Sequence, residues 1–386
     1  MEATDDSPAL LTQVAHVGTH RRLLAQVDRA DAGTAPVDVI VVPIARAVTK
    51  LRTALDLGDE LGATVIALCS QDATAAAARA EAAGYGADFW ALDIEDCPPD
   101  VLPDFRAPAV LADAGFKHES DLDAKRNVAL LLGNVVGWRS MAFLDDDIRL
   151  ADVDDLRRAA SLLDRYDVVG LTVTDFPDNS VVCHANRDTG GRQETFIGAG
   201  ALVVRPRSVS SFFPHVYNED WLFLLGSNRL VRAAAVGFAH QDEYDPYRDS
   251  ARAVREEFGD VFAEGIFDLL DAGRGISDAD EQYWAGVLDR RQGFIDKVIG
   301  RLGNVEDDGK RERMRSALLA ARRMHGSITP ALCSAYLEEW LFDRSTWQVA
   351  LDKFRTKFGQ YAEWATLSPA TRLARVVREL GFCLRD

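Results

Sequence analysis

Asp145-Asp146-Asp147 stand together directly after the apolar run Met141-Ala142-Phe143-Leu144. Three adjacent carboxylates repel one another unless a cation lies among them. Carboxylate oxygens suit hard ions such as Mg²⁺ or Mn²⁺, which keep waters and also bind phosphate oxygens. The pattern therefore points to a metal–diphosphate site. Its bland alternative is an acidic turn in which Asp147 or Asp152 caps the next helix. Two further features add to it. Glu219-Asp220 lie at the expected start of a short helix, and His240 closes another apolar run. Brought into one cleft, Asp145, Asp147 and His240 would hold a divalent ion. Glu219 or Asp220 would then be free to act as general base on a hydroxyl nucleophile. Taken singly, Glu219-Asp220 is an ordinary acidic first turn favoured by the helix dipole, and His240 an ordinary structural histidine. Only the conjunction carries weight.

Such residues need strand ends to position them. Val37–Ile44 reads as a buried strand, β-branched and uncharged apart from Asp38, with Pro43 near its end. A helical pattern follows over Arg46–Leu61, with Gly62 as its C-cap. Thr64–Cys69 is a second strand. Ser70-Gln71-Asp72 is a polar turn able to cap the alanine-rich helix up to Ala83, and Asp88–Ile94 is a third strand. Strand–helix–strand–helix–strand is the signature of a parallel sheet covered by helices, in which ligands bind outside the carboxyl ends of the strands. Cys97–Phe116, with four prolines, reads as irregular. Ser120–Asp123 resembles a capping box that opens a helix carrying Lys125, Arg126 and Asn127 in its first two turns. Strands are expected over Met141–Asp147, Asp167–Thr174, Phe196–Val204 and Leu230–Phe238, and a helix over Val153–Tyr166. Asp175–Thr195 reads as a polar loop. From about Asp249 heptad-like apolar spacing takes over, broken at Gly303–Lys310 and Gly326–Thr329. The expected organisation is an N-terminal extension (1–36, with a helix over Leu10–Val27), an α/β domain (37–248) and a helical C-terminal region (249–386).

The chain has 386 residues, with 44 Lys+Arg against 61 Asp+Glu, a net charge of −17. That field discourages non-specific contact with nucleic acid or anionic membrane. It leaves room for an anionic substrate held by a local cation. The five cysteines are scattered and lack CxxC spacing, as in a reduced, cytoplasmic protein without a zinc motif. No apolar run reaches the length of a membrane span, and the acidic start Met1–Asp6 lacks a signal-peptide apolar region. There is no GxxxxGK[ST], no GxGxxG after the first strand and no GxSxG. These absences disfavour a P-loop enzyme, a dinucleotide-binding Rossmann protein and an α/β-hydrolase.

With these residues in order, the chain resembles a GT-A-type glycosyltransferase, closest in pattern to the family 2-like enzymes that use nucleotide-sugars. The resemblance covers about residues 37–245. Asp145-Asp146-Asp147 matches the DXD motif, Lys125-Arg126-Asn127 the basic helix upstream of it, and Asn218-Glu219-Asp220 the acidic acceptor-site motif. His240 falls where many such enzymes carry a further metal ligand.

The resemblance implies a mostly parallel sheet flanked by helices, with Mn²⁺ or Mg²⁺ held by Asp145, Asp147 and His240. It implies a UDP- or GDP-linked sugar donor contacted by Pro43, Arg46, Ser70, Asp72, Arg126, Asp145, Asp146 and Gly200. Asp220 would be the base in an inverting transfer to an acceptor hydroxyl, with Glu219 as its competitor; retention of configuration stays open. Lys125 is expected on a solvated helix face, and Trp340, Trp347 and Trp364 in the core. The helical region would cover the acceptor side or build a homo-oligomer. Ile44-Ala45-Arg46 departs from the family's usual Asn-Glu after the first strand. The QxxRW motif of processive synthases is absent. Two rivals are a nucleotidyltransferase on a related sheet, disfavoured by the lack of a glycine-rich basic loop after Pro43, and a non-catalytic nucleotide-sugar-binding or assembly protein.

Overall fold

The structure is a computed structural model and describes residues 16–176, 179–361 and 363–382. Its first part runs β1 (Ala25–Gln26), β2 (Val39–Ile44), α1 (Arg52–Leu61), β3 (Thr64–Cys69), α2 (Ala75–Ala82), β4 (Phe89–Asp93), α3 (Ala107–Asp113), α4 (Leu122–Val136), β5 (Met141–Leu144), β6 (Ile148–Arg149), α5 (Asp154–Ser161), β7 (Val168–Thr174), α6 (Val181–Asp188), β8 (Ala201–Val204), α7 (Glu219–Phe223) and β9 (Ala233–Gln241). Five helices follow: α8 (Ser250–Asp271), α9 (Glu281–Gly300), α10 (Asp308–His325), α11 (Pro330–Gly359) and α12 (Pro369–Glu379). This is a mixed, mostly parallel sheet flanked by helices, with an all-helical C-terminal region, consistent with the GT-A-like architecture that the motifs imply.

The strand order is β1-β9-β7-β8-β5-β2-β3-β4, with β6 against the end of β9. β8 runs antiparallel to both β5 and β7, and β6 antiparallel to β9; the other pairs are parallel. β2 is buried at all six positions, because both faces of the sheet are covered; a parallel strand then reads as a continuous apolar run. Pro43 is tolerated there because it lies past the last β2–β5 pair, Val41↔Phe143, where a missing N–H breaks no bond to β5. From β2 the chain moves outward through β3 and β4, then returns by α4 to place β5 on the other side of β2. That reversal makes the carboxyl ends of β2 and β5 a topological switch point, the crevice where open α/β sheets bind ligands.

One apolar core joins one face of the sheet to α4 and continues without a break into the C-terminal helices, from Phe143 and Leu131 to Phe262, Trp284, Tyr336 and Trp340. The other face is covered by α1, α2 and α5. Trp340 and Trp347 are fully buried and Trp364 nearly so, so all three tryptophans are core, as expected. Each such side chain contributes about 1.5–3 kcal/mol of burial. A buried carboxylate adds a polar tie: Asp343 of α11 accepts from the Arg106 and Ala107 backbone N–H groups, both at 2.8 Å, and so caps α3.

Several local expectations fail for identifiable reasons. The proline-rich Cys97–Phe116 contains α3, whose Pro108 sits in the first turn, where a missing N–H costs nothing. The polar-looking stretch Asp175–Thr195 contains α6, opened by Ser180, whose side chain accepts from Cys183 N–H. There is no capping box at Ser120–Asp123: the N-cap Asp121 makes no side-chain cap bond. The alanine-rich α2 is capped by Thr74 rather than by the turn at Ser70–Asp72. The strand expected from Phe196 begins only at Ala201, after the glycine pair. Of the helix expected over Leu10–Val27, residues 10–15 lie outside the described residues. The rest holds a 3₁₀ turn, Arg21–Leu23, and β1, which pairs with β9.

Candidate functional site

Lys125 sets the floor of the crevice. Its ammonium donates to the Ile44 carbonyl at 3.1 Å and the Ser70 hydroxyl at 2.6 Å, and lies 3.0 Å from Asp121. It is fully buried, which corrects the expectation of a solvated helix face. β2 and β3 stop side by side, and the Ile44 carbonyl accepts both the Ser70 N–H, at 3.1 Å, and the Lys125 ammonium, which ties the two strand ends to α4. The Asp72 N–H in turn donates to the Ala45 carbonyl at 3.2 Å, joining the two strand-end loops. Ser70 is thus committed to Lys125, whereas the Asp72 side chain is exposed.

The next residue, Arg126, is buried between Asp145 and Glu219. Its guanidinium donates to both Asp145 oxygens, at 2.8 and 3.0 Å, and to Glu219 Oε1 at 2.5 Å. Asp220 is held by backbone donors: Ala199 N–H to Oδ2 at 3.0 Å and Trp221 N–H to Oδ1 at 2.8 Å. The glycines explain the fit. A Cβ on Gly198 would stand 2.6 Å from Asp220 Oδ2, and one on Gly200 would stand 3.2 Å from Asp145 Oδ2. Asp145 N–H also donates to the Gly200 carbonyl at 3.0 Å. Asn218, just before Glu219, has φ +62°, a left-handed conformation that asparagine tolerates better than most residues; strained backbone of this kind clusters at functional sites.

The charge balance here is one guanidinium against three carboxyl groups. Burial of Arg126 works against its charge, but Asp145, Glu219 and Asp220 together outweigh it and raise its pKa. The carboxyl groups cannot all ionise around a single cation. Burial pushes Glu219 up to about 8, opposed by Arg126 and reinforced by Asp220. Burial also raises Asp220, with Arg126 and the two backbone donors pulling the other way.

The remaining acidic residues face β2. Arg46, from the loop after that strand, pairs with Asp146 and lies 3.1 Å from Asp147. A guanidinium thus stands where these two carboxylates need a cation, and their oxygens are of the hard type that divalent ions take. His240 is placed nearby by the backbone: β6, which directly follows Asp147, pairs with β9 in the register Arg149↔His240. Its Nδ1 faces Asp175 Oδ2 at 2.6 Å and Thr174 Oγ1 at 3.1 Å, which leaves Nε2 as the nitrogen for a metal.

The structure therefore brings Arg126, Asp145, Glu219, Asp220 and Gly200 into one cluster, and Arg46, Asp146 and Asp147 into an adjoining one. It does not draw Asp145, Asp147 and His240 into a closed triad. Among the described residues, three other groups have ligand atoms within 4.8 Å of one another: His118–Asp123–His215, His20–Glu264–Asp268 and Cys183–Asp260–Glu264. Sequence reasoning missed the buried role of Lys125 and the partner Asp175. No local signal marked the first; an aspartate directly after a strand was the available signal for the second.

No protein-family model matches the chain, and no curated protein sequence does. Among solved structures, the mannosyltransferase PcManGT from Pyrobaculum calidifontis, in complex with GDP-Man and Mn²⁺, aligns over 90% of this chain and 90% of that chain. The identity is 13% and the TM-score 0.33. A likeness of that strength leaves the reading of the site to its own geometry.

Proposed function

We propose that the chain is a metal-dependent glycosyltransferase that moves a sugar from a nucleoside-diphosphate donor to an acceptor hydroxyl. The observation that carries this reading is the Arg126 guanidinium joining Asp145 to Glu219, with Asp220 fixed under Gly198, at the switch point of the sheet. Asp145, Asp147 and His240 would hold Mn²⁺ or Mg²⁺, which when bound neutralises the diphosphate leaving group as a Lewis acid. Arg46 is exposed enough to turn from Asp146 to a phosphate oxygen, a charge-assisted bond. Pro43 and the linked Ser70 and Asp72 loops frame the space for base and ribose. The acceptor oxygen attacks the anomeric carbon, the bond from that carbon to the phosphate oxygen breaks, and the acceptor proton passes to Asp220. Two backbone donors keep Asp220 oriented, while its burial raises its affinity for that proton. Glu219 is committed to Arg126 and acts in positioning. A single base on the acceptor side favours inversion.

The test separates binding from turnover. Asp147→Ala should abolish metal-dependent donor binding. Asp220→Asn should keep donor binding and lose about 100-fold or more in turnover, the range of a general base. Equal loss of binding in both variants would contradict the division of roles. Full donor binding without turnover in the wild type, against a panel of hydroxyl acceptors and water, would favour a non-catalytic binding protein.

A further inference from the structure

Away from the switch point, α3, α8 and the segment before α7 enclose a mostly apolar cavity of about 720 Å³. Leu111, Phe116, Val216 and Phe258 line it, and two histidines, His118 and His215, stand in its wall. Asp123, in the first turn of α4, is buried against them. The rings of His118 and His215 meet edge-on, with centroids 4.6 Å apart.

The orientation of His215 is informative. Its Nε2 faces the His118 carbonyl at 3.1 Å, an acceptor, so Nε2 carries the hydrogen. Its Nδ1 then faces Asp123 Oδ1 at 3.0 Å. A nitrogen lone pair and a carboxylate oxygen pointing at one another need a cation between them. A proton on Nδ1 meets that need for the pair alone; a divalent ion meets it with His118 as a third arm. An imidazole whose second nitrogen is fixed by a backbone carbonyl is the usual setting of a metal-bound histidine.

The other two clusters are already supplied with cations. In one, both ring nitrogens of His20 are taken, by Asp271 and Glu264. In the other, Arg291 lies 2.7 Å from Asp260. Among the described residues, Asp123 is bonded by His215 and by no arginine or lysine.

We propose that His118, Asp123 and His215 form a Zn²⁺ site with three protein ligands and its remaining coordination position open to the apolar cavity. Two imidazoles and a carboxylate suit Zn²⁺, with arms of about 2.0–2.2 Å. The ligand atoms already lie within 4.8 Å of one another, so side-chain rotation closes the site. Three protein ligands and an open position define a site that takes an exchangeable ligand. Here that ligand is a small apolar molecule bearing an oxygen or nitrogen donor. The ion also ties α4, one turn before Arg126, to the segment leading into Glu219.

The test uses the full chain stripped with a chelator and titrated with Co²⁺, whose visible absorption reports four-coordinate nitrogen–oxygen ligation, followed by displacement with Zn²⁺. One Co²⁺ per chain with that spectrum, displaced by Zn²⁺, is expected. His215→Ala and His118→Ala should each weaken binding by more than about 100-fold, beyond the effect of outer-shell changes. Asp147→Ala should leave it intact, which separates this site from the donor-linked ion. Should His215→Ala fail to fold, His118→Ala carries the test, because it leaves in place the bonds of His215 to Asp123 and to the His118 carbonyl; its melting temperature in chelator should equal the wild type's. Absence of a four-coordinate Co²⁺ spectrum in the wild type, or undiminished binding in His118→Ala, would overturn the assignment.

Discussion

The most quantitative consequence of the Arg126 cluster concerns Glu219 and pH. Burial pushes this carboxyl from an ordinary 4.5 to about 8, so the folded chain holds a proton there that the unfolded chain releases. The contribution of Glu219 to stability is therefore complete below about pH 4.5 and is lost as pH rises towards about 8. At about 1.4 kcal/mol per pKa unit, the full loss is about 5 kcal/mol, of which about 4 falls between about pH 5 and about pH 8. Glu219→Gln replaces the protonated carboxyl with a neutral group of the same shape that still accepts from Arg126. The variant should match the wild type near pH 5 and exceed it by up to about 4 kcal/mol near pH 8. Urea unfolding followed by tryptophan fluorescence at both pH values measures the difference. A stability difference that does not change with pH, or one that grows towards acid, would refute the assignment of the proton to Glu219.

Other substitutions probe the neighbouring contacts. Lys125→Met removes the buried donor to Ile44 and Ser70 and should cost about 2–3 kcal/mol of unfolding free energy; a change near zero would mean that Lys125 does not hold the strand ends. Gly198→Ala puts a methyl group 2.6 Å from Asp220 Oδ2 and should lower turnover about 100-fold through misplacement of the carboxylate, with donor binding unchanged in calorimetry. Arg46→Ala removes the cation paired with Asp146 and Asp147. Arg46 itself is half-exposed, so the pairing is worth up to about 1 kcal/mol and Mn²⁺ affinity without nucleotide should tighten about fivefold; a weaker affinity would show that Arg46 does not compete for the cluster.

The parts of this architecture that were legible in the sequence are those governed by short-range pattern. The apolar runs at Val39–Ile44, Thr64–Cys69 and Met141–Leu144 are buried on both sides, so burial wrote them as continuous hydrophobic stretches. Gly62 reads as a C-cap and takes φ +66° after α1. The start of the helical region at Asp249 is likewise marked by its cap, whose side chain accepts from Ala251 N–H. The acidic positions were legible because Asp145, Glu219 and Asp220 stand at element ends. Arg126, the shared partner of Asp145 and Glu219, was named from the motif rather than from any local signal.

What failed depended on contacts distant in sequence. α6 begins in a polar stretch, and its apolar residues pack against α8, α9 and α10, which no local window contains. Lys125 looks like a surface residue of a helix because nothing nearby announces that two strand-end loops will converge on it. Pro43 in a central strand makes sense only once the β5 pairing is seen to stop at Val41. The pairing of His215 with Asp123 spans 92 positions and has no signature in spacing.

The most direct test of the proposed function is a thermal-shift panel of UDP, GDP, CDP and dTDP, each with Mn²⁺ and with chelator, on the wild type and on Asp147→Ala. A ligand that binds only the folded state stabilises it by about 2.7 kcal/mol at a hundred times its dissociation constant. A rise in melting temperature with one diphosphate that needs Mn²⁺ and disappears in Asp147→Ala is the expected result, and it names the donor base. No shift with any diphosphate, or an equal shift in chelator and in the variant, would contradict a metal–diphosphate site at Asp145–Asp147.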